Sequence, residues 1–526
     1  MSDASQAAKR PNFLLIMTDQ HRADHLSCYG NPVLKTPHID RISDQGATFE
    51  ECYAAAPAGM PNRASLMTGR MPSLHGVRHN GIPLDLRNVT FTEILAQHGY
   101  RTALVGIANL QSMCGSDDGG EHAEPHAEAT HRAGRYDQEL ASRWESEPDH
   151  ALDLPYYGFH DAALVSEHGD LASGQYQRWL SERHPKPDTL RGRRNALGDP
   201  TFTVPQAWRT AMPEELYPTT YVTEQTLVRL QRFARKPDTP FFLECSFPDP
   251  HHPFTPPGYY WGLYQPADIP TRGCWHMPEP RRMPPHLRWL HEQRDDGNPP
   301  HNPRAPFACS VREAQEAVAL TYGMITMVDD AIGRILDRLE QLGLAQNTVV
   351  IFTSDHGDFM GDHGLLLKGP LHYSGLIRVP LIWREPDVRE KRRIRGLAST
   401  IDIPASIIAR AGLEPFNGMQ GRSLIPLMED NGDGRECVLI EDEAHGSSVG
   451  LKGRLKLRSL LDGRFRMSLY SEQDWGELYD LTEDPEEHIN LWEDSSYAVI
   501  RGHLTELLAE EMIASSETSP KPGGNV

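Results

Sequence analysis

The chain has 526 residues, of which 38% are hydrophobic and 24% charged, and its net charge is −21. This is a soluble, globular composition with apolar material for one large unit and a smaller one. So acidic a body argues against nucleic acid or an anionic membrane surface as partner, and no stretch reaches the ~20 apolar residues of a membrane span.

Asn12 to Thr18 is a short apolar run ending at polar Asp19-Gln20, which predicts a buried strand. Its apolar part, Phe13 to Met17, is too short for a secretory leader core and runs into charge, so a cytoplasmic protein is expected. Seven scattered cysteines with no CxxC pair argue against a disulfide framework or a structural zinc site. Thr36 to Gly46 and Pro61 to Thr68 predict helices, the second with Pro near its start. Thr90 to Gly99 predicts a helix and Thr102 to Val105 a strand, an α/β alternation. Residues 110–215 are polar and weakly periodic, and predict an insertion lying over one face. Within it, Asp117 to Arg135 contains His122, His126 and His131, read as a solvated loop rather than a metal tract.

The alternation resumes with a helix at Val222 to Arg235 and a strand at Pro240 to Ser246. Residues 255–308 read as a second, Pro-rich insertion. Val311 to Leu342 has helical periodicity, Asn347 to Thr353 is the strongest strand of the chain, Val379 to Trp383 a further strand and Ile403 to Ala411 a helix. From about residue 435 the texture becomes short strands, at 436–441, 451–461, 465–470 and 476–481, with a helix from Ser496 to Ala514 and a disordered tail. The expected architecture is a catalytic α/β unit over 1–430 with a large, mostly parallel sheet, and a C-terminal subdomain over 431–526 with a small antiparallel sheet.

In open α/β sheets ligands gather beyond the carboxyl ends of strands. Two such ends bear hard or borderline metal ligands, Asp19-Gln20 and Asp355-His356. Carboxylate, amide oxygen and imidazole suit Ca2+, Mn2+ or Mg2+. Asp is also a routine strand-end cap, so each pair alone says little.

The segment Ala58 to Arg70, AGMPNRASLMTGR, is more specific. It resembles the sulfatase signature, in which a cysteine two residues before the Pro is oxidised to formylglycine; Pro61, Arg63, Leu66, Thr68, Gly69 and Arg70 fit that pattern. TDQHRADHLSCYG, FTSDHGDFMGDHGLLLKGPLHY and ELYDLTEDPEEHINLW resemble other segments of the same family, within the alkaline phosphatase superfamily. Asp-Gln paired with Asp-His, together with RHNGIPLD, looks most like phosphonate monoester hydrolases and cytoplasmic arylsulfatases. The resemblance implies one divalent cation, Ca2+ or Mn2+, on Asp19, Gln20, Asp355, His356 and the modified side chain of residue 59. It also implies Arg63 and Lys368 as cationic groups, His251 as general acid, Asn80 and Asn109 as substrate contacts, and a homo-oligomer acting on small anionic esters. Sulfate monoesters are the first expectation and phosphonate monoesters or phosphodiesters the second.

Two departures stand out. Position 59 is glycine, where the family has its cysteine. The letter stands for a residue already modified, for an engineered change, or for a natural loss that leaves an inactive, anion-binding relative; the intact surroundings favour the first. Sugar sulfatases also carry a Gly-Lys-x-His-Leu-Gly segment, which here reads Gly106-Ile107-Ala108-Asn109-Leu110-Gln111, without the lysine and histidine. That favours a small aryl or alkyl ester over a polysaccharide.

Overall fold

The computed structural model describes residues 10–115, 132–276, 283–298, 304–388, 390–429, 432, 434–444, 449–451 and 454–523. His122, His126 and His131 lie outside the described residues.

A nine-stranded sheet organises the larger part. From edge to edge its strands are Arg392–Ile394, Ala47–Phe49, Leu381–Arg384, Thr348–Ser354, Asn12–Thr18, Phe241–Phe247, Arg101–Gly106, Asp161–Ser166 and Ser173–Gly174. The five from Thr348–Ser354 to Asp161–Ser166 run parallel. Leu381–Arg384 is antiparallel to both of its neighbours. Strands buried on both faces read as unbroken apolar runs, which is why NFLLIMT and NTVVIFT were legible. In the central strand Phe13, Leu15 and Met17 face one core and Leu14 and Ile16 the other, as the two-residue period requires. The 31-residue helix Val311–Gln341 starts at a Ser310/Glu313 capping box, and its second half buries Val328, Ile332, Ile335 and Leu339 against the second face.

The C-terminal part is a four-stranded antiparallel sheet, Val438–Ala444, Leu455–Leu461, Phe465–Tyr470 and Gly476–Asp480 in that order. The helix Ala498–Ala514 covers it with Leu504, Leu507 and Leu508.

Three stretches depart from expectation. The 110–215 stretch, read as a covering insertion, supplies the strand Asp161–Ser166 to the main sheet as well as the helix Gln175–Arg183. Its run DAALVS is short and begins on a charge, so it has no strand pattern of its own and is recruited by pairing with Arg101–Gly106. The 255–308 stretch contains the helix Pro285–Asp295. The tail is not loose through residue 518: Glu517 pairs with Arg70, and the carbonyls of Ser515 and Thr518 accept from Gln420 and Asn417.

Candidate active site

Five adjacent parallel strands end on the same side, and each has polar residues within four positions of its end. They are Asp19-Gln20, Asp355-His356, the His251-His252 turn, Asn109 and, unforeseen, Glu167-His168. Gln20, Asn109 and Glu167 all take left-handed backbone conformations, with φ of 62, 52 and 63°. Such conformations are costly for non-glycine residues and collect where a chain must turn a side chain into a site.

The helix Gly59–Thr68 faces these ends and is buried throughout. Arg63, 1% exposed, is the hub. Its Nε donates to Asp355 Oδ2 at 2.9 Å and its Nη2 to Asp19 Oδ2 at 3.1 Å. Its Nη1 donates to the Ile107 carbonyl and to Ser246 Oγ. Arg63 therefore ties the two carboxylates together. Burial would push the Asp19 carboxyl up, but His168, Arg63 and Lys368 outweigh it and hold the group well below the usual carboxylate range.

The donor set fits a divalent cation. Ligand atoms of Asp19, Asp355 and His356 all lie within 4.8 Å of one another, and all three residues are buried. His356 Nδ1 donates to the Gly357 carbonyl at 2.9 Å, which leaves the Nε2 lone pair outward; that nitrogen is buried and has no hydrogen-bond partner among the described residues. Gln20 arrives differently: its Oε1 accepts from Lys368 Nζ at 2.5 Å, and its amide nitrogen donates to Asp358. Asp358 also accepts from the amides of Met360 and Leu367, so it braces the loop, and burial pushes its carboxyl up to about 6.

Lys368 and His251 meet at 2.8 Å, Nζ to Nε2. His251 Nδ1 donates to the His252 carbonyl at 2.5 Å. Burial, then the charges of His168 and Lys368, push the His251 imidazole well below its usual range, and burial lowers Lys368. Both His251 and His252 face this cluster, since His252 Nδ1 lies 3.3 Å from Gln20 Nε2.

A Cβ built on Gly59 would stand 3.7 Å from Asp355 Oδ2 and 2.6 Å from Asn109 Nδ2. The obstructing atom is the end of a flexible side chain, so a side chain at residue 59 fits once the Asn109 amide turns. Asn109 itself sits on a clamp that sequence reasoning missed. The buried Glu139 carboxylate accepts from the backbone amides of Asn109, Leu110 and Gln111 at 2.8, 2.9 and 2.9 Å, and from the Tyr156 hydroxyl at 2.5 Å. Asn80 is exposed beside the helix start, where its Oδ1 accepts from the Met60 amide at 3.0 Å and satisfies one of the unpaired donors of the first turn.

The sulfatase family model matches residues 11–413, and one described as the C-terminal part of N-sulphoglucosamine sulphohydrolase matches 361–514. The arylsulfatase of Clostridium perfringens is 26% identical over 517 residues, covering 97% of this chain and 95% of that protein. The multifunctional alkaline phosphatase superfamily protein PehA of Trinickia caryophylli is 26% identical over 519 residues, covering 93% of each. The crystal structure of the phosphonate monoester hydrolase of Agrobacterium radiobacter superposes with a TM-score of 0.77 at 26% identity, covering 97% of each chain. The chain therefore belongs to the sulfatase family of the alkaline phosphatase superfamily, as a hydrolase of sulfate or phosphonate esters.

Proposed function

We propose that the chain hydrolyses small sulfate monoesters, as an arylsulfatase does, with one divalent cation, Ca2+ or Mn2+, and with residue 59 present as formylglycine. The observation that supports this best is the placement of residue 59. A carbon added to its Cα would lie 3.7 Å from Asp355 Oδ2, at the start of the helix whose Arg63 ties Asp19 to Asp355. When bound, the cation supplies positive charge beside the attacking and transferring oxygens. A formylglycine at residue 59 would supply, as its hydrate, one oxygen to attack the ester sulfur or phosphorus and a second hydroxyl whose loss of a proton would reform the aldehyde as the bond to the transferred group breaks.

The chain's residues do the rest. Asp19, held ionised, and His356, with Nε2 free of its proton, are in their ligating forms at neutral pH. Arg63 offsets one of the two buried carboxylates, so a divalent cation leaves the centre positive, and Lys368 adds to that charge. This small focus lets a body of net charge −21 bind a singly charged ester. The proton that Lys368 Nζ presents to His251 Nε2 is available to the departing alkoxide or phenoxide, so the donor is Lys368, and His251, expected as the acid, holds that ammonium in place because its own ring proton is spent on the His252 carbonyl. Asn80 and Asn109 border the helix start and take the ester group's outer oxygens.

Phosphonate monoesters are the second reading, favoured by the superposition on a phosphonate monoester hydrolase and by Asn109 standing where sugar sulfatases keep charged residues. As part of the same proposal, the seven free cysteines suit a reducing, cytoplasmic setting, and the homo-oligomer is carried over from the family resemblance. The test is the mass of the peptide holding residue 59, together with turnover of an aryl sulfate and an aryl phosphonate. A formylglycine mass with faster sulfate turnover is expected. A much faster phosphonate overturns the substrate preference. A glycine mass without turnover leaves an anion-binding relative.

A further inference from the structure

We infer that His168 is a positioning residue of this site, holding Asp19 in its ligating geometry and His251 in its orientation. The inference rests on the metal-assisted reading above. His168 follows the strand Asp161–Ser166 by one residue, Glu167, whose φ of 63° turns the chain. That turn is held from outside: Glu167 accepts from Arg304 at 2.7 Å and from the Cys114 thiol at 2.6 Å. A strained residue fixed by two further contacts aims the next side chain with little freedom.

What His168 is aimed at is specific. It is buried, and its Nε2 lies 3.4 Å from Asp19 Oδ2, the oxygen that also receives Arg63 Nη2. Two donors on Oδ2 leave Oδ1 for a cation and stop the carboxylate from rotating. The ring of His168 stacks on that of His251, with centroids 3.6 Å apart and planes 15° from parallel. One side chain thus touches a candidate metal ligand and the histidine that holds the Lys368 ammonium.

Ligand atoms of Asp19, His168 and His251 also lie within 4.8 Å of one another, which invites a second cation there. Lys368 argues against it. Its ammonium sits 2.8 Å from His251 Nε2, and a second cation would meet that charge at close range in a buried site. The hydrogen-bond role is the one these surroundings support.

The test uses the full chain stripped of metal and titrated with Mn2+ by calorimetry. His168→Phe keeps a stacking ring and loses the donor; His168→Gln keeps a donor of similar reach and loses the ring. Phe is expected to weaken Mn2+ binding by about tenfold or more, the range for losing a partner that orients a metal ligand, and Gln by clearly less. With aryl sulfate, Gln is expected to lower kcat more than it changes KM, because His251 loses its stacking partner. Wild-type Mn2+ affinity in the Phe variant overturns the inference. If that variant does not melt cooperatively, His168→Ala takes its place, with at least the same loss expected and wild-type affinity again fatal. Wild-type protein that binds neither Mn2+ nor Ca2+ overturns the metal reading itself, whatever the variants do.

Discussion

The Asn109 amide nitrogen stands 2.6 Å from the point that a Cβ on Gly59 would occupy. The two residues cannot both keep their places once residue 59 has a side chain. In protein whose residue 59 is plain glycine, Gly59→Ala and Asn109→Ala should therefore couple. Alanine at 59 is expected to be better tolerated beside alanine at 109, by about 1 kcal/mol in a double-mutant cycle followed by urea denaturation. Strict additivity would mean that the Asn109 amide turns aside freely.

Its backbone is not free to do so, because of Glu139. One buried carboxylate satisfies three consecutive amides of the 109–111 turn. Glu139→Ala would leave those donors unpaired in the interior, at roughly 1–3 kcal/mol each before water enters. The expected result is a loss of at least about 3 kcal/mol in unfolding free energy. A loss under about 1 kcal/mol would show that the turn holds itself.

The contrast between these residues shows what the sequence could reveal. Asp19 and Asp355 close apolar runs long enough to read as strands, so their place at strand ends was visible. His168 also closes a strand of the same sheet, but DAALVS is too short and too mixed to announce itself. Glu139 has no local pattern at all: its meaning lies in amides 28 to 30 residues away. Composition likewise predicted a disordered tail, and missed that Glu517 finds Arg70 at the end of the helix bearing residue 59. Periodicity reports elements, whereas contacts between irregular segments leave no trace in either segment alone.

Lys368 separates function from stability. Burial lowers its pKa, so its ammonium is less comfortable in the fold than in water. Lys368→Met should lower kcat/KM on an aryl sulfate by about 10²–10³-fold, the usual scale for one preorganised charge donor. The thermal midpoint should hold or rise. A falling midpoint would mean that the bonds to Gln20 and His251 matter more to the fold than to turnover.

Glu244, in the strand Phe241–Phe247, gives the fold a pH dependence. It is 3% exposed, and its Oε2 has no hydrogen-bond partner among the described residues. Burial pushes its carboxyl from 4.5 up to about 7, with Arg63 opposing. Between those values the native state holds a proton that the unfolded chain has released. Stability therefore falls as pH rises through that window, and the loss is complete above about 7. Asp249, also pushed up to about 7 by burial, acts in the same sense. Glu244→Gln removes the contribution of this one carboxyl. Urea midpoints of the variant and parent should nearly coincide at pH 5 and diverge by pH 8, with the variant more stable by on the order of 2 kcal/mol. A variant less stable at pH 8 would mean that the ionised carboxylate is a partner Arg63 needs, and that the buried charge balance around residue 59 extends one strand deeper than Asp19 and Asp355.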